Sequence, residues 1–267
     1  MNVSNYEAYV EEWLKGIDFE IKFWDKLMET EGSCGGDPEV YKLRISPETR
    51  FSLEDEIETD ETAFCDVGSG PFSNCGVYTD KTNLKITAVD PLAKVYEVLK
   101  SKYGVVSPIN PITGMVELLG RQFEENCFDI VHMSNSLDHC FDPVEGIKQM
   151  LAICKVGGKI ILRHNENEAE HAKYQGFHQW NIHVENDKFY IWRKDIKIDV
   201  AEEIKEFAQV EKAEMAEKAG DGSRWVHNKV VIRKTNEIKV ENNAYMNVLI
   251  TKFLEEICIL NMQKTNE

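Results

Sequence analysis

The chain has 267 residues, of which 42% are hydrophobic and 29% are charged, so it can bury a sizeable core. Its formal net charge of -16 makes the surface repel phosphate groups, and we therefore expect no nucleic-acid partner and no affinity for anionic membranes. No apolar run approaches the roughly 20 residues that a membrane helix needs, which excludes membrane insertion by a helix.

The amino-terminal residues and the cysteines indicate the compartment. The first residues carry acids and lack the apolar core of a signal peptide. The seven cysteines contain no CxxC pair, which favours reduced thiols. We therefore predict a cytoplasmic protein. Its oligomeric state stays open, with a homodimer among the alternatives.

The first predicted element is a long amphipathic helix over residues 5–30, where apolar residues recur at helical spacing. The glycine-rich segment 31–37 ends this helix. Residues 38–60 are predicted to form an acidic connector.

An alternation of strands and helices follows. The predicted strands are 62–67, 84–90, 104–109, 128–134 and 159–163. The predicted helices are 93–102 and 143–154, and Gly157 and Gly158 are expected to end the second of them. Strands joined by helical crossovers predict an α/β, Rossmann-like, doubly wound and mostly parallel sheet with both faces covered.

The last third of the chain is predicted in less detail. Residues 164–195 look irregular, and 208–215 with 225–234 are predicted to form a hairpin at the sheet edge. A closing amphipathic helix is expected at 243–261. This organisation divides the chain into an N-terminal helix with connector (1–60), a main domain (61–235) and a C-terminal helix (236–267).

A turn typical of nucleotide cofactors follows the first strand. Gly68 and Gly70 come directly after Asp66, and such glycines let the backbone approach a ligand closely. Asp90 ends the next strand, where a carboxylate can accept hydrogen bonds from the hydroxyls of a ribose. An ordinary tight turn is the alternative. NAD is the main rival ligand, but the three-glycine GxGxxG pattern is absent.

The ordered set that begins at this turn resembles the class I S-adenosylmethionine-dependent methyltransferases. Its parts are the acid-x-Gly-x-Gly turn, the acid after the second strand, and the segments 114–117, 127–131 and 156–159. The resemblance covers roughly residues 60–165. It implies a seven-stranded sheet, S-adenosylmethionine as the cofactor, and methyl transfer as the activity.

The resemblance also implies a cofactor site. The methionine end would lie near the first turn and the fourth strand, the ribose at the second strand, and the adenine between residues after the third. The sequence departs from the family pattern at Phe72, where a third glycine is usual, and at Met115, where an acid often reads the adenine. The implied cofactor-binding residues are Asp66, Gly68, Gly70, Asp90, Pro91, Met115, Val116, Glu117, Ser134 and Asn135.

Candidate catalytic histidines follow the fourth and fifth strands, where the acceptor of the methyl group should bind. They are His139, His164 and His178. A histidine can remove the proton of a hydroxyl acceptor, although a loop-capping role for His139 is an open alternative. The polar and aromatic residues of 164–181 are typical of a site for a sugar or a phosphorylated metabolite.

A metal site in this segment is an alternative. If the segment is helical, His164, Glu168 and His171 share one face, and His178 could join them. A solvated polar face with satisfied histidines is the favoured interpretation, and we predict no metal. His132 lies within the fourth strand and is interpreted as a core histidine.

The sequence therefore predicts an S-adenosylmethionine-dependent methyltransferase that O-methylates a small polar acceptor. Candidate acceptors are a sugar, a nucleotide-activated precursor or a phosphorylated precursor of a surface polysaccharide. The last follows from residues 174–181, which resemble an uncharacterised bacterial branch of the family that is often linked with surface-polysaccharide genes. The alternatives are a binding protein that keeps the fold without catalysis and a nicotinamide-dependent oxidoreductase.

Overall fold

The structure is a computed structural model of the chain, and it describes residues 6–194, 196–217, 226–240 and 252–253. Ten strands are found in this part of the chain. In chain order they are β1 (Glu61–Val67), β2 (Asn83–Asp90), β3 (Ile112–Thr113), β4 (Phe128–Ser134), β5 (Cys154–Asn165), β6 (Asn181–Glu185), β7 (Lys188–Arg193), β8 (Ile196–Asp199), β9 (Ala208–Glu217) and β10 (Val226–Lys234).

Seven of these strands form one sheet in the order β3-β2-β1-β4-β5-β10-β9. The first five strands of that order run parallel, and β10 runs antiparallel to both of its neighbours. The predicted seven-stranded, mostly parallel α/β sheet is confirmed, as is the late hairpin at its edge. Because the strands are parallel, the carboxyl ends of β1, β2, β4 and β5 meet at one edge of the sheet.

The helices cover this sheet. In the described residues they are α1 (Tyr6–Glu29), α2 (Pro38–Ile45), α3 (Ala93–Tyr103), α4 (Leu119–Gln122), α5 (Pro143–Ile153), α6 (Glu168–His171) and α7 (Val200–Ile204). The start of α5 shows why the chain turns helical there. The Asp142 side chain accepts a hydrogen bond from the Glu145 amide, and Pro143 occupies a first-turn position that needs no donor.

Adjacent residues of each central strand fill two layers on opposite faces of the sheet. Cys65 and Val131 pack with α5 on one face. Phe64 and Ile130 pack on the other, against residues 51–57. Strands buried on both faces read as nearly continuous apolar runs, which is why they were visible in the sequence.

The N-terminal helix is an integral part of the packing. Ile17 and Trp24 of α1 lie in one apolar cluster with Tyr96 and Leu99 of α3. The predicted helix at 5–30 is thus confirmed, and the segment predicted as a connector (38–60) contains α2.

A second sheet of three antiparallel strands, in the order β6-β7-β8, replaces the irregular structure expected at 164–195. Its first two strands are joined by Asn186 and Asp187, whose φ angles of 51° and 58° suit a tight hairpin turn. Ile182 and Ile191 are buried in the main core. The sheet therefore packs onto the domain through one apolar face.

The predicted third strand at 104–109 is wrong. Between residues 104 and 113, only the two residues of β3 pair with β2, opposite Val89 and Asp90. Pro108 and Pro111 cannot donate backbone hydrogen bonds, so the chain before β3 cannot form a regular ladder.

The expectation that Gly157 and Gly158 end a helix is also wrong. Helix α5 ends at Ile153, and both glycines lie inside β5. A Cβ atom on Gly158 would lie 2.7 Å from the carbonyl oxygen of Asp129, so glycine is needed there for strand packing.

Other expectations concern the C-terminus and the cysteines. The helix predicted at 243–261 lies outside the described residues except at Lys252 and Phe253. The six cysteines within the described ranges are free thiols. In the same ranges, no helix combines the length and apolarity that crossing a membrane requires.

We predict that Ile17→Ala lowers the free energy of unfolding by about 2–5 kcal/mol, because Ile17 is fully buried between α1 and the domain. Urea denaturation followed by circular dichroism measures the change. Val98→Ala on α3 is the matched control, since Val98 is 62% exposed and should change stability by no more than about 0.5 kcal/mol. Equal effects of the two substitutions would show that α1 does not stabilise the domain.

Candidate active site

A cavity of about 440 Å³ lies at the carboxyl ends of β1, β2 and β4, and α1 forms its opposite wall. A narrower cleft of about 60 Å³ adjoins it. The two spaces share Glu20, Gly68, Asp90, Ser136 and His139. Together they form one elongated site of the size that small molecules occupy.

The turn after β1 needs its glycines. Gly68 and Gly70 have φ angles of 62° and 63°, a region that residues with a side chain avoid. A Cβ atom on Gly68 would lie 2.3 Å from Ser136 Oγ, and one on Gly70 would lie 2.8 Å from the Trp24 ring. The turn therefore exposes bare backbone to the cavity.

Asp66 ends a buried chain of hydrogen bonds. Arg163 Nε donates to His132 Nε2 at 3.0 Å, so the ring proton of a neutral His132 must be on Nδ1, which lies 2.7 Å from Asp66 Oδ1. Burial lowers the pKa of His132. Burial alone would raise the pKa of Asp66, but the His132 bond and the Arg163 charge bring it below its ordinary value.

The second oxygen of Asp66 is the one that matters for a ligand. Asp66 Oδ2 is buried and has no partner among the described residues, and Asp66 lines the cavity. An ionised, unpartnered carboxylate oxygen in such a place suits a cationic group such as an amine.

Asp90 lies where the cavity and the cleft meet. Its Oδ2 accepts from the Gly70 amide at 2.9 Å, and its Oδ1 accepts from the Leu92 amide at 2.8 Å. Burial raises the pKa of Asp90 to about 7. Each carboxylate oxygen can accept a further hydrogen bond, so Asp90 can hold neighbouring hydroxyl groups.

The narrow cleft has mostly apolar walls. Leu92, Met115 and Val116 line it and suit the faces of a flat ring. Pro91 and Glu117 line it as well.

Glu117 turns one oxygen away from the cleft. Its Oε1 accepts from the amides of Phe141 and Asp142 at 2.8 and 3.2 Å, just before α5. Burial raises the pKa of Glu117 to about 7. This carboxyl therefore fixes the loop that closes the cleft.

The last residue of β4 and the two residues after it line the cavity. Ser134 Oγ accepts a hydrogen bond from Asn74 Nδ2 at 3.2 Å. Asn135 adopts a φ of 47°, and its Oδ1 accepts from the Asn165 amide at 3.0 Å, which ties the ends of β4 and β5 together. Ser136 Oγ is buried without a partner in the described ranges, so it is available to a ligand.

Asp138, His139 and His178 form a compact cluster at the far end of the cavity. Asp138 Oδ2 lies 2.7 Å from His178 Nδ1 and 3.6 Å from His139 Nε2, and the two ring nitrogens are 3.1 Å apart. Burial would raise the pKa of Asp138, but the two histidines lower it. Burial would lower the pKa of His178, but its bond to Asp138 raises it.

The third candidate histidine lies elsewhere. His164 is buried within β5, does not line the cavity, and its ring nitrogens have no partner among the residues described. Burial lowers its pKa to about 3, so it is neutral. The structure brings His139 and His178 together at the cavity, whereas His164 does not line the cavity.

The condition for a helix face shared by His164, Glu168 and His171 is not met, because His164 lies in β5 and the helix begins only at Glu168. Helix α6 has only one turn, because Asn167 with a φ of 50° separates it from β5. His171 is exposed and contacts the Asn167 carbonyl oxygen at 2.9 Å. Of these three residues, Glu168 lines the cavity and the other two do not. His178 lines the same cavity.

The sequence reasoning missed the wall supplied by α1 and α2. Trp24 covers Gly70 and donates to Glu20 Oε1 at 2.7 Å. Arg44 Nη2 donates to the Phe72 carbonyl at 2.8 Å, and its guanidinium lies 5.3 Å from the Trp24 ring. The sequence signal for this wall was weak, because an acid such as Glu20 beside the apolar stripe of α1 is common in amphipathic helices.

Comparisons with known proteins find similarity to methyltransferases. A family model described as a methyltransferase domain matches residues 65–162. The fold is similar to that of CalH, a trans-methyltransferase in complex with S-adenosylhomocysteine, with 12% identity over 78% of this chain and 62% of that chain and a TM-score of 0.50. No protein of curated function matches the sequence.

Two further solved structures are similar in fold. One is a 1,6-didemethyltoxoflavin-N1-methyltransferase from Burkholderia thailandensis, with 14% identity over 66% of this chain and 72% of that chain and a TM-score of 0.42. The other is a SAM-dependent methyltransferase from Aquifex aeolicus, with 10% identity over 78% and 97% of the two chains and a TM-score of 0.44.

We predict that Glu117→Gln makes stability less dependent on pH. The pKa of Glu117 is raised on folding, so the folded protein binds more protons than the unfolded chain between about pH 4.5 and 7. Stability therefore falls as the pH rises through this window. The variant should gain at most about 3 kcal/mol at pH 8, because glutamine keeps the acceptor oxygen and loses the charge.

Urea denaturation at several pH values measures this effect. Asp90 contributes in the same direction, so the slope should decrease without vanishing. Glu97→Gln on the exposed side of α3 is the control and should leave the slope unchanged. An unchanged slope in Glu117→Gln would contradict the raised pKa.

Proposed function

We propose that the chain is a class I S-adenosylmethionine-dependent methyltransferase that O-methylates a small polar acceptor, with S-adenosylmethionine as its cofactor. The match to a methyltransferase domain over residues 65–162 supports this proposal. When bound, this cofactor supplies a methyl group on a positively charged sulfur. The remaining task of the chain is to bind the acceptor, align it with the methyl group and remove its proton.

The residues present fit the cofactor. Asp66 Oδ2 and Ser136 Oγ are buried polar atoms without partners in the described structure, and the Gly68–Gly70 turn leaves no room for side chains. Asp66 would hold the amine of the methionine end, and Asp90 the ribose hydroxyls. The full proposed set is Asp66, Gly68, Gly70, Asp90, Pro91, Met115, Val116, Glu117, Ser134 and Asn135.

The observation that carries the acceptor half of the proposal is His178, which lines the cavity and is bonded to the buried Asp138. A His178 ring that donates its Nδ1 proton to Asp138 keeps a lone pair on Nε2, which can accept the proton of a hydroxyl group. The buried carboxylate then stabilises the charged ring. His139 lies beside this pair and would orient the acceptor.

The lining of the cavity supports a polar acceptor. Asn74, Asn165 and Glu168 offer amide and carboxylate groups, while Phe19 and Trp24 offer aromatic surfaces. This mixture suits the hydroxyls and the apolar faces of a sugar ring. A precursor of a surface polysaccharide is the acceptor class that the resemblance of residues 174–181 favours.

A cofactor comparison tests the proposal against its alternatives. S-adenosylhomocysteine should raise the melting temperature of the protein, whereas NAD should not. Release of S-adenosylhomocysteine from S-adenosylmethionine is then measured with a panel of sugars, sugar phosphates and nucleotide sugars. Stabilisation by NAD alone would indicate an oxidoreductase, and cofactor binding without turnover on any acceptor would indicate a binding protein.

We predict that Asp90→Ala weakens S-adenosylhomocysteine binding roughly 10- to 100-fold, because hydrogen bonds to a charged group contribute about 1.5–3 kcal/mol. Isothermal titration calorimetry measures the affinity. Asp55→Ala is the matched control, since the Asp55 side chain is fully exposed and distant from the cavity. An Asp90→Ala protein that is folded and binds normally would rule out this carboxylate as the ribose acceptor.

We predict that His178→Ala and His139→Ala lower turnover far more than they lower cofactor affinity. Loss of a general base typically costs about 10²–10⁴ in rate. His171→Ala is the control, because His171 is exposed and lies outside the cavity. Full rates in both variants would mean that the acceptor proton leaves by another route.

A further inference from the structure

The cluster at the far end of the cavity brings three potential metal ligands to one point. The ligand atoms are Asp138 Oδ2, His139 Nε2 and His178 Nδ1, and all three lie within 4.8 Å of one another. Their pairwise separations are 2.7, 3.1 and 3.6 Å. Two imidazoles and one carboxylate form a set that first-row transition metals favour.

Hydrogen bonding alone leaves this cluster incompletely satisfied. If His178 Nδ1 carries a proton, that proton can point well at Asp138 Oδ2 or at His139 Nε2, but not at both. Protons on both ring nitrogens would face each other across 3.1 Å. The cluster therefore accommodates one proton well. When that proton lies between His178 Nδ1 and Asp138 Oδ2, the lone pair of His139 Nε2 has no donor within the cluster.

The spacing agrees with coordination of a cation. In tetrahedral coordination, zinc–nitrogen and zinc–oxygen bonds of about 2.0–2.2 Å place neighbouring ligand atoms roughly 3.3–3.6 Å apart. The separation of His139 Nε2 and Asp138 Oδ2, 3.6 Å, matches this range, whereas the two contacts of His178 Nδ1, 2.7 and 3.1 Å, are shorter. A modest movement of the two rings would equalise them.

Hydrogen bonds to the backbone carbonyl oxygens of Asp138 and His139 hold the cluster in place. The Asp138 carbonyl oxygen accepts from the amides of Gln179 and Trp180 at 3.0 and 3.2 Å. The His139 carbonyl oxygen accepts from Trp13 Nε1 at 2.8 Å. The loop after β4, the segment around His178 and α1 are thereby joined, so the site is preorganised.

Further oxygen atoms line the cavity that His139 and His178 line. Asn165 and Glu168 line the same cavity, and Asn165 Oδ1 is buried without a partner among the described residues. We propose that Asp138, His139 and His178 bind a divalent transition-metal ion whose remaining coordination positions open toward the acceptor.

This inference rests on the proposed function for its role. A metal ion at this point would bind the acceptor through oxygen atoms and lower the pKa of a coordinated hydroxyl. The substrate class that it favours is a molecule with two neighbouring oxygens, such as a sugar with adjacent hydroxyl groups. In the transfer, the methyl carbon–sulfur bond breaks, a methyl carbon–oxygen bond forms, and the hydroxyl proton goes to Glu168. With the metal bound, His178 Nδ1 is a ligand and its Nε2 carries the ring proton, so Glu168 replaces His178 as the proton acceptor.

The test begins with metal binding to the full chain. The protein is stripped with a chelator, the chelator is removed, and Zn²⁺ and Co²⁺ are titrated separately. We expect one equivalent of Zn²⁺ by calorimetry and visible absorption bands from one equivalent of Co²⁺. Mg²⁺ should bind much more weakly, because it prefers oxygen ligands. No stoichiometric Zn²⁺ or Co²⁺ binding would overturn the inference.

Variants locate the site. Asp138→Asn and His178→Ala should each weaken metal binding by more than the roughly 10- to 100-fold loss that removing an outer-shell partner causes. His171→Ala should bind metal normally, and equal losses in it would identify binding to surface histidines instead. Unchanged S-adenosylhomocysteine affinity in the cluster variants shows that they are folded.

Cofactor binding and turnover separate this inference from the proposed function. Cofactor binding with turnover that is unaffected by chelation and by added Zn²⁺ would overturn the metal site and leave the methyltransferase intact. Metal binding at the cluster without S-adenosylhomocysteine binding would support the metal site and overturn the proposed methyltransferase function. Chelation that abolishes turnover, with recovery on adding one equivalent of metal, would support both.

Discussion

The hydrogen bond between the Gly70 amide and the Asp90 carboxylate is the constraint on which the site depends. It fastens the turn after β1 to the end of β2, and the second oxygen of Asp90 holds the start of α3 through Leu92. With the turn fixed, Asp66 Oδ2 and the bare backbone of Gly68 face the same space. One buried carboxylate thus lines both the wide cavity and the narrow cleft, and its hydrogen bonds fix the turn and the helix start beside them.

The other half of the site comes from outside the residues that match the methyltransferase domain. Trp24 and Arg44 precede that region and close the cavity over the glycine turn, while His178 follows it. The match therefore covers the strand ends that are proposed to bind the cofactor and leaves out the segments that are proposed to bind the acceptor. A likeness in fold does not by itself specify an acceptor.

Local patterns explain how much of the fold could be predicted from the sequence. The buried strands, α1 and the late hairpin carry their periodicity in consecutive residues, and the cofactor turn carries its glycines. The hairpin at Asn186 and Asp187 had an equally local signal, since polar turn residues separate two alternating apolar runs. The wall formed by Trp24 and Arg44 had no such signal, because their contacts with the turn depend on how distant helices pack.

The polar residues of 164–181 serve the packing of the fold as well as the lining of the cavity. Much of this polarity is internal: Asn228 donates to Glu166 Oε2 at 2.6 Å, and the Glu170 amide donates to Asn181 Oδ1 at 2.9 Å. These bonds satisfy groups buried between β5, β6 and β10, so they anchor the second sheet. Because that sheet follows His178 directly, its packing also fixes where His178 stands relative to Asp138. Fewer residues of this segment therefore line the cavity than the sequence implied, and the position of His178 depends on a sheet that does not line the cavity.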